Sequence, residues 1–463
     1  MLYPSRAPRQ AQYDTSGRRA DLDGKLSRTR PVLLSTFYFL HFYLVSAMEA
    51  LTPQKIHTRN TIFNSFGEGM WGFAMAFHNM NSVIPMFLAQ MGASAFIIGL
   101  IPGGFILLVA LPQLLSAALF HQSTNIRNLN IGLHFALTPI AFLIGIAFYY
   151  FEFTGQTGIW VYLALWVVWS LGVGFLVPVW ADFLASVTVT GRRGRFFGIT
   201  FTVNAIMGML GGYVLKEVLS MESLGFPKNF GLAFLIMTAA ILIGNAFFIF
   251  IKVIHPPRKK VDQVAHWWHR LKAIYLGDRN FRNYIISRAF AAATMMPLAF
   301  YGVDLQARFN LPLSTAGTFT FFLVVGQAIF NILFGYLGDL FGRRIAIVGF
   351  FVGHLLAGIT ALLASEPWMA YLTFVFVGMA FGAGQSSFMV YVYEFAGEQG
   401  DRKLYYAALD TAVAPFIVVY ISIAGFLVES FGYASMYSLS LVFVVIGLII
   451  FLLKVKSPTA TTA

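Results

Sequence analysis

Along this chain, polar and charged positions are interrupted repeatedly by uncharged runs, and a helix of about 20 apolar residues is enough to cross ~30 Å of hydrocarbon. Twelve runs qualify, near 63–89, 94–120, 129–150, 158–187, 196–216, 229–254, 284–306, 315–338, 345–364, 367–393, 404–428 and 432–453. Glycines and prolines inside them do not argue against helix, because packed neighbours can satisfy the backbone groups they free. The pattern predicts an all-α membrane protein with twelve transmembrane helices.

Composition agrees. Apolar residues make up 58% of the 463 and charged residues 11%, against roughly a quarter charged in soluble domains. A net charge of +12 would suggest nucleic acid in a soluble protein, but the distribution argues otherwise. When alternate loops are assigned to opposite sides, every Lys and Arg except Lys216, Lys228 and Arg308 falls on one side. The positive-inside rule then places both termini in the cytoplasm, with the protein in the plasma or inner membrane. The absence of cysteine excludes disulfides and thiolate metal sites.

The expected organisation has four parts. Residues 1–60 form a basic N-terminal extension, 61–254 a six-helix bundle, 255–283 a cytoplasmic loop and 284–455 a second six-helix bundle. Residues 1–30 lack apolar periodicity and are expected to be disordered. The apolar run 32–48 is barely long enough to span. It is read as a thirteenth helix, a signal-like segment, an interfacial helix, or a stretch upstream of a true start at Met48. In the central loop, His266 and His269 flank Trp267 and Trp268. With no third ligand nearby, a basic amphipathic stretch against anionic headgroups is preferred to a metal site.

The halves repeat. Placing Gly99 on Gly317 also aligns Gln113 with Asn331, and Trp180, Asp182 and Phe183 answer to Val392, Glu394 and Phe395. Each acidic-aromatic pair precedes a short basic loop and an aromatic doublet, Phe196 and Phe197 or Tyr405 and Tyr406. Two pseudo-symmetric six-helix bundles with a central site is an architecture common among secondary transporters.

After the eighth run the chain reads Gly335-Tyr-Leu-Gly-Asp339-Leu-Phe-Gly342-Arg343-Arg344. This resembles the signature loop of the major facilitator superfamily, and together with the repeat it extends the resemblance over residues 61–455. The resemblance implies a cytoplasmic gate in which small Gly335 lets helices approach closely and Asp339 with Arg343 and Arg344 makes a polar latch. The first-half equivalents, Ala117 and His121 with only Arg127 nearby, are degenerate. The glycines at Gly208, Gly211 and Gly212 resemble an antiporter motif but lack its Gly-Pro. No enzyme motif is present; Gly382 and Gly384 are read as helix-packing glycines.

Ionisable and polar groups within the runs are candidates for the site by default. Asn64, Glu68, Trp71, Met75, His78 and Ser82 follow at steps of three and four and should share a face toward a central cavity; for His78, a packing role is preferred over substrate or proton contact. Trp166, Trp169 and Trp180 lie near one stripe, with Trp160 interfacial. Asn204, Gln327, Asn331 and Gln385 could hydrogen-bond a solute. Asp182 with Arg195, and Glu394 with Arg402, are expected gate latches. Arg288 and Asp410 lie at matched depths and are expected to pair, leaving Glu68 as an unpaired carboxyl that could carry a proton; the competing arrangement pairs Glu68 with Arg288 as a gate. The expected function is secondary transport of a small organic solute, coupled to protons, by a monomer without cofactor. A non-transporting sensor or assembly factor of the same fold is the alternative.

Overall fold

The computed structural model describes residues 52–457 except 121, 122, 124, 256–266 and 397–401; the apolar run 32–48, Met48 and His266 lie outside that set. Regular structure among the described residues is entirely helical. The first half contains α1 (Pro53–Phe77), α2 (Val83–Gln90), α3 (Ala95–Ala110), α4 (Gln113–Phe120), α5 (Ile126–Tyr149), α6 (Gly155–Ser186), α7 (Arg193–Leu219) and α8 (Lys228–Phe248). A short helix, α9 (Trp267–Gly277), precedes α10 (Arg279–Ala291), α11 (Met295–Leu298), α12 (Tyr301–Arg308), α13 (Thr315–Phe341), α14 (Arg344–Leu362), α15 (Pro367–Ala396) and α16 (Arg402–Lys454).

Among the described residues, nine helical segments are long and apolar enough to cross a membrane. Several of the twelve expected runs are interrupted within their length. The run 63–89 breaks between α1 and α2, and 94–120 breaks at Pro112, which has no N–H to donate. The last two runs, written together as α16, are two helices that meet at a kink at Gly432, whose φ of +78° is accessible to glycine without strain. The fold also begins earlier than expected. α1 starts at Pro53, a residue pre-organised for a first helical position, and Asn60 is fully buried.

Asn60 carries the repeat into three dimensions. Its side chain donates to the carbonyl of Lys252 at 2.6 Å and accepts from the Lys252 N–H at 2.9 Å. In the second half Asn280 holds the backbone of Lys456 in the same way, at 2.9 and 2.8 Å. Arginines repeat the theme. Arg127 donates to the carbonyls of Ile249 and Ile251 beyond α8, and Arg344 donates to Phe451, Leu452 and Val455 at the end of α16. Each cation satisfies carbonyls that a helix terminus leaves without partners.

Within the first half α1 packs on α7 and α8, and α5 on α6 and α8; within the second, α13 and α14 pack on α15, and α10 and α14 on α16. The most extensive contacts between the halves are α7 with α13 and α3 with α16; smaller ones join α1 and α2 to α13, α2 to α12 and α3 to α11. Lipid tails are as apolar as leucine, so close van der Waals packing must hold such contacts together. At the first crossing Gly212 faces Gly317, and a Cβ on Gly317 would lie 2.4 Å from the amide nitrogen of Lys216. Toward the other end of the same helices, a Cβ on Gly198 or Gly335 would meet nothing within 4 Å. The helices therefore diverge from the Gly212–Gly317 contact, and Gly335, expected to permit close approach, borders open space instead. Gly382 does pack closely, against the backbone of Gln327 and Asn331.

Candidate functional site

The divergence of α7 and α13 opens a cavity of about 770 Å³ lined by both halves. From α7 the lining comes from residues between Gly198 and Met209, and from α13 from residues between Leu323 and Ile332. All lie on one side of the Gly212–Gly317 contact, which closes the cavity at that end.

Glu68 is the one carboxylate or cationic side chain of Lys or Arg type in the lining. It is 9% exposed. Its Oε1 accepts from the indole Nε1 of Trp180 at 2.7 Å, and its backbone carbonyl accepts from the Asn204 amide at 2.7 Å. No salt bridge to it occurs among the described residues. Trp71 and Trp169 stack at 6.2 Å between centroids, and the Trp71 Nε1 donates to Asn245 at 2.9 Å, which in turn donates to the carbonyl of His134 at 3.0 Å. Across the cavity the Gln327 amide donates to Gln385 at 3.0 Å, and Asn331 also lines the space. The chamber thus presents three indole rings, several carboxamides and one carboxyl.

The expected helix-one stripe is only partly realised. Glu68, Trp71 and Met75 line the cavity, whereas Asn64, His78 and Ser82 do not. Asn64 donates to Thr200, and Ser82 shares a 2.7 Å hydrogen bond with Thr320 across the halves. His78 is 2% exposed, with Nε2 at 2.9 Å from the Tyr162 hydroxyl and its ring edge-on to Trp169 and Phe234. The α1–α2 break removes His78 and Ser82 from the stripe, which assumed one continuous helix, whereas Asn64 lies within α1 and is buried against Thr200 of α7. Trp169 and Trp180 line the cavity while Trp166 does not, and Trp160 is 59% exposed. Asn79 and His134 line it without having been singled out. Asn130, His134 and Thr138 follow one another at steps of four in the run 129–150, a polar stripe that could have marked His134.

Arg288 and Asp410 do not form the expected ion pair. The Arg288 guanidinium lies over the rings of Phe388, at 4.0 Å, and Phe350, at 5.0 Å, and its Nε and Nη1 are buried without hydrogen-bond partners. Asp410 is exposed. Matched depth brought the two near one another, but the aromatic side chains of α14 and α15 occupy the cation's faces. Arg288 does not pair with Glu68 either.

The loop after α13 holds an Asp339–Arg343 ion pair. Gly342, at φ +86°, turns the chain where only glycine is unstrained, and Arg343 bonds the Asp339 carboxylate one turn back. Arg344 plays no part in it; its donors go to α16. Asp182 and Arg195 are exposed at the same end, Glu394 lies in the last turn of α15, and Arg402 opens α16.

Residues 284–463 match the model of the Major Facilitator Superfamily. The structure is similar to that of a D-xylose-proton symporter, with a TM-score of 0.64 and 16% identity, covering 88% of this chain and 99% of that one. It is also similar to the nucleoside transporter NupG, with a TM-score of 0.62, 11% identity, and coverage of 86% and 98%. A third is a bacterial homolog of the human lysosomal transporter Spinster, in an inward-facing and unoccupied conformation, with a TM-score of 0.60, 15% identity, and coverage of 88% and 98%. No curated protein matches the sequence. The chain is a multi-pass membrane protein with the major facilitator fold, and its second half carries the family's sequence pattern.

Proposed function

We propose that this protein is a secondary transporter that moves a small, uncharged organic solute across a plasma or inner membrane by alternating access, with Glu68 as the proton-carrying group. The observation that carries the reading is the central cavity, shared by both halves, closed at the Gly212–Gly317 end and containing a single carboxyl. The Asp339–Arg343 end faces the cytoplasm on this reading, as the bias of basic residues favours, so the structure corresponds to an inward-open state.

Carboxamides offer both donors and acceptors to hydroxyl or amide groups, and indole rings offer flat apolar faces to a ring-shaped solute. Gln327, Gln385, Asn331 and Asn204 supply the first, and Trp71, Trp169 and Trp180 the second. An anionic solute finds no Lys or Arg side chain beside it, and a cationic one would hold Glu68 ionised and hinder its exchange of a proton. Glu68 lacks a countercharge, and a carboxyl in such surroundings can exchange a proton as its access to water changes. The chemistry calls for no enzyme activity, cofactor or nucleic acid.

The test is thermal unfolding of the purified protein against a panel of pentoses, hexoses, nucleosides and charged metabolites. A neutral solute should raise the unfolding temperature, and Gln327→Ala with Asn331→Ala should remove the rise. Stabilisation only by charged solutes, or a rise untouched by these substitutions, would contradict the proposal.

A further inference from the structure

Between the opening turns of α1 and α7 lies a second cavity, of about 400 Å³. None of its lining residues lines the central cavity. Its walls are graded along the helix axes. At one end stand Arg192, Arg195, His57 and Thr58, and farther into the helices stand Ile62, Phe66, Ile199 and Val203. From His57 to Phe66 an α-helix rises about 14 Å, which is the scale of a headgroup followed by part of an acyl chain.

Three observations say what this groove holds. Ile62 is 53% and Phe66 56% exposed, so the apolar wall opens onto the surface that meets hydrocarbon. Arg192 and Arg195 are exposed at the polar end, and neither guanidinium has a protein acceptor among the described residues. The third is that α7 begins at Arg193, so its positive dipole end falls beside both arginines. Guanidinium forks match the paired oxygens of a phosphate diester. An inorganic anion would use only the polar end, whereas a lipid uses both.

We propose that this groove is a binding site for one anionic phospholipid, its phosphodiester on Arg192 and Arg195 and an acyl chain along Ile62, Phe66 and Ile199. The site is independent of the transport proposal, since it shares no residue with the central cavity. Bound there, the lipid braces α1 against α7, the two helices that carry Glu68 and Asn204.

The experiment uses the full-length protein in detergent, titrated with phosphatidylglycerol, with phosphatidylcholine of the same chains, and with inorganic phosphate. Thermal unfolding and native mass spectrometry are read together. Phosphatidylglycerol should raise the unfolding temperature and give a retained one-lipid adduct, while the other two do neither. Arg192→Gln/Arg195→Gln should lose at least half of the shift and most of the adduct; the charge-matched Lys454→Gln/Lys456→Gln should keep both. If the arginine double variant does not purify, Arg195→Gln alone is compared with Arg195→Lys, and only the lysine should retain the adduct. Equal adducts in the glutamine and parent proteins, or a full shift from inorganic phosphate, would overturn the proposal.

Discussion

The indole Nε1 of Trp180 donates to Oε1 of Glu68 at 2.7 Å, tying α6 to α1 across the wall of the cavity. Trp166, about four turns earlier in the same helix, leaves its own Nε1 buried without a partner. A lost bond to a buried acceptor costs about 1–3 kcal/mol, whereas removing an unused buried donor can be neutral or stabilising. Trp180→Phe should therefore lower the unfolding temperature and Trp166→Phe should not. Thermal unfolding of the two variants in the same detergent checks the contrast.

The Gly212–Gly317 crossing leaves no room for a side chain. Leucine at 317 would force α7 away from α13, and overpacking of this kind costs about 1–3 kcal/mol. Gly317→Leu should destabilise the protein, and spin labels on α7 and α13 should move apart. The chain has no cysteine, so labels can be placed without removing native thiols. An unchanged distance distribution would count against the crossing as the closed end.

Away from the cavity, Asp304 is 4% exposed and bonds both Arg308 and, at 2.9 Å, the Tyr437 hydroxyl. Arg308 also donates to the carbonyl of Ala361 at 2.8 Å. Arg308 is 29% exposed, so removing it leaves the buried Asp304 carboxylate uncompensated at a cost below the ~3–5 kcal/mol of a fully buried pair. Arg308→Gln should reduce folded yield sharply, Tyr437→Phe by far less, with solute binding retained in whatever protein folds. Gel filtration and thermal unfolding of both variants give the comparison.

Arg288 is held by rings, and a desolvated cation over an aromatic face is worth about 1–2 kcal/mol. Phe388→Leu should cost stability of that order. Because no ion pair joins Arg288 to Asp410 in this state, Asp410→Asn should be about equally damaging with Arg288 present or replaced by Gln. A double-mutant cycle in thermal stability measures this, and a strong coupling would restore the pair that their depths suggested.

Much of the architecture was legible because apolar runs and basic loops obey strict bilayer constraints. The latch of Asp339 with Arg343 was readable as well, being local and at helical spacing. The kink at Gly432 falls where two apolar runs were already separated, but the interruption after Phe77 was not legible: it depends on how helices pack, and it decides that His78 and Ser82 leave the cavity face. Asp304 and Arg308 stand at the same helical spacing, but their partner Tyr437 lies 133 positions away from Asp304, a relationship no periodicity displays. Arg344 appeared to belong to the signature loop because it follows Arg343, yet its donors are taken by carbonyls at the far end of the chain. Polar residues that line the chamber, Asn204, Gln327, Asn331 and Gln385, were recognisable because an apolar helix makes any carboxamide conspicuous.

The proposal that Glu68 couples solute movement to protons is tested in proteoliposomes. Vesicles carrying the parent protein or Glu68→Gln are loaded with a pH-sensitive dye and given a solute that stabilises the purified protein. With the parent, an imposed pH gradient should drive accumulation, and solute addition alone should shift the internal pH. With Glu68→Gln both effects should vanish while exchange of labelled for unlabelled solute continues. Gradient-driven accumulation by Glu68→Gln at the parent's level would contradict the account.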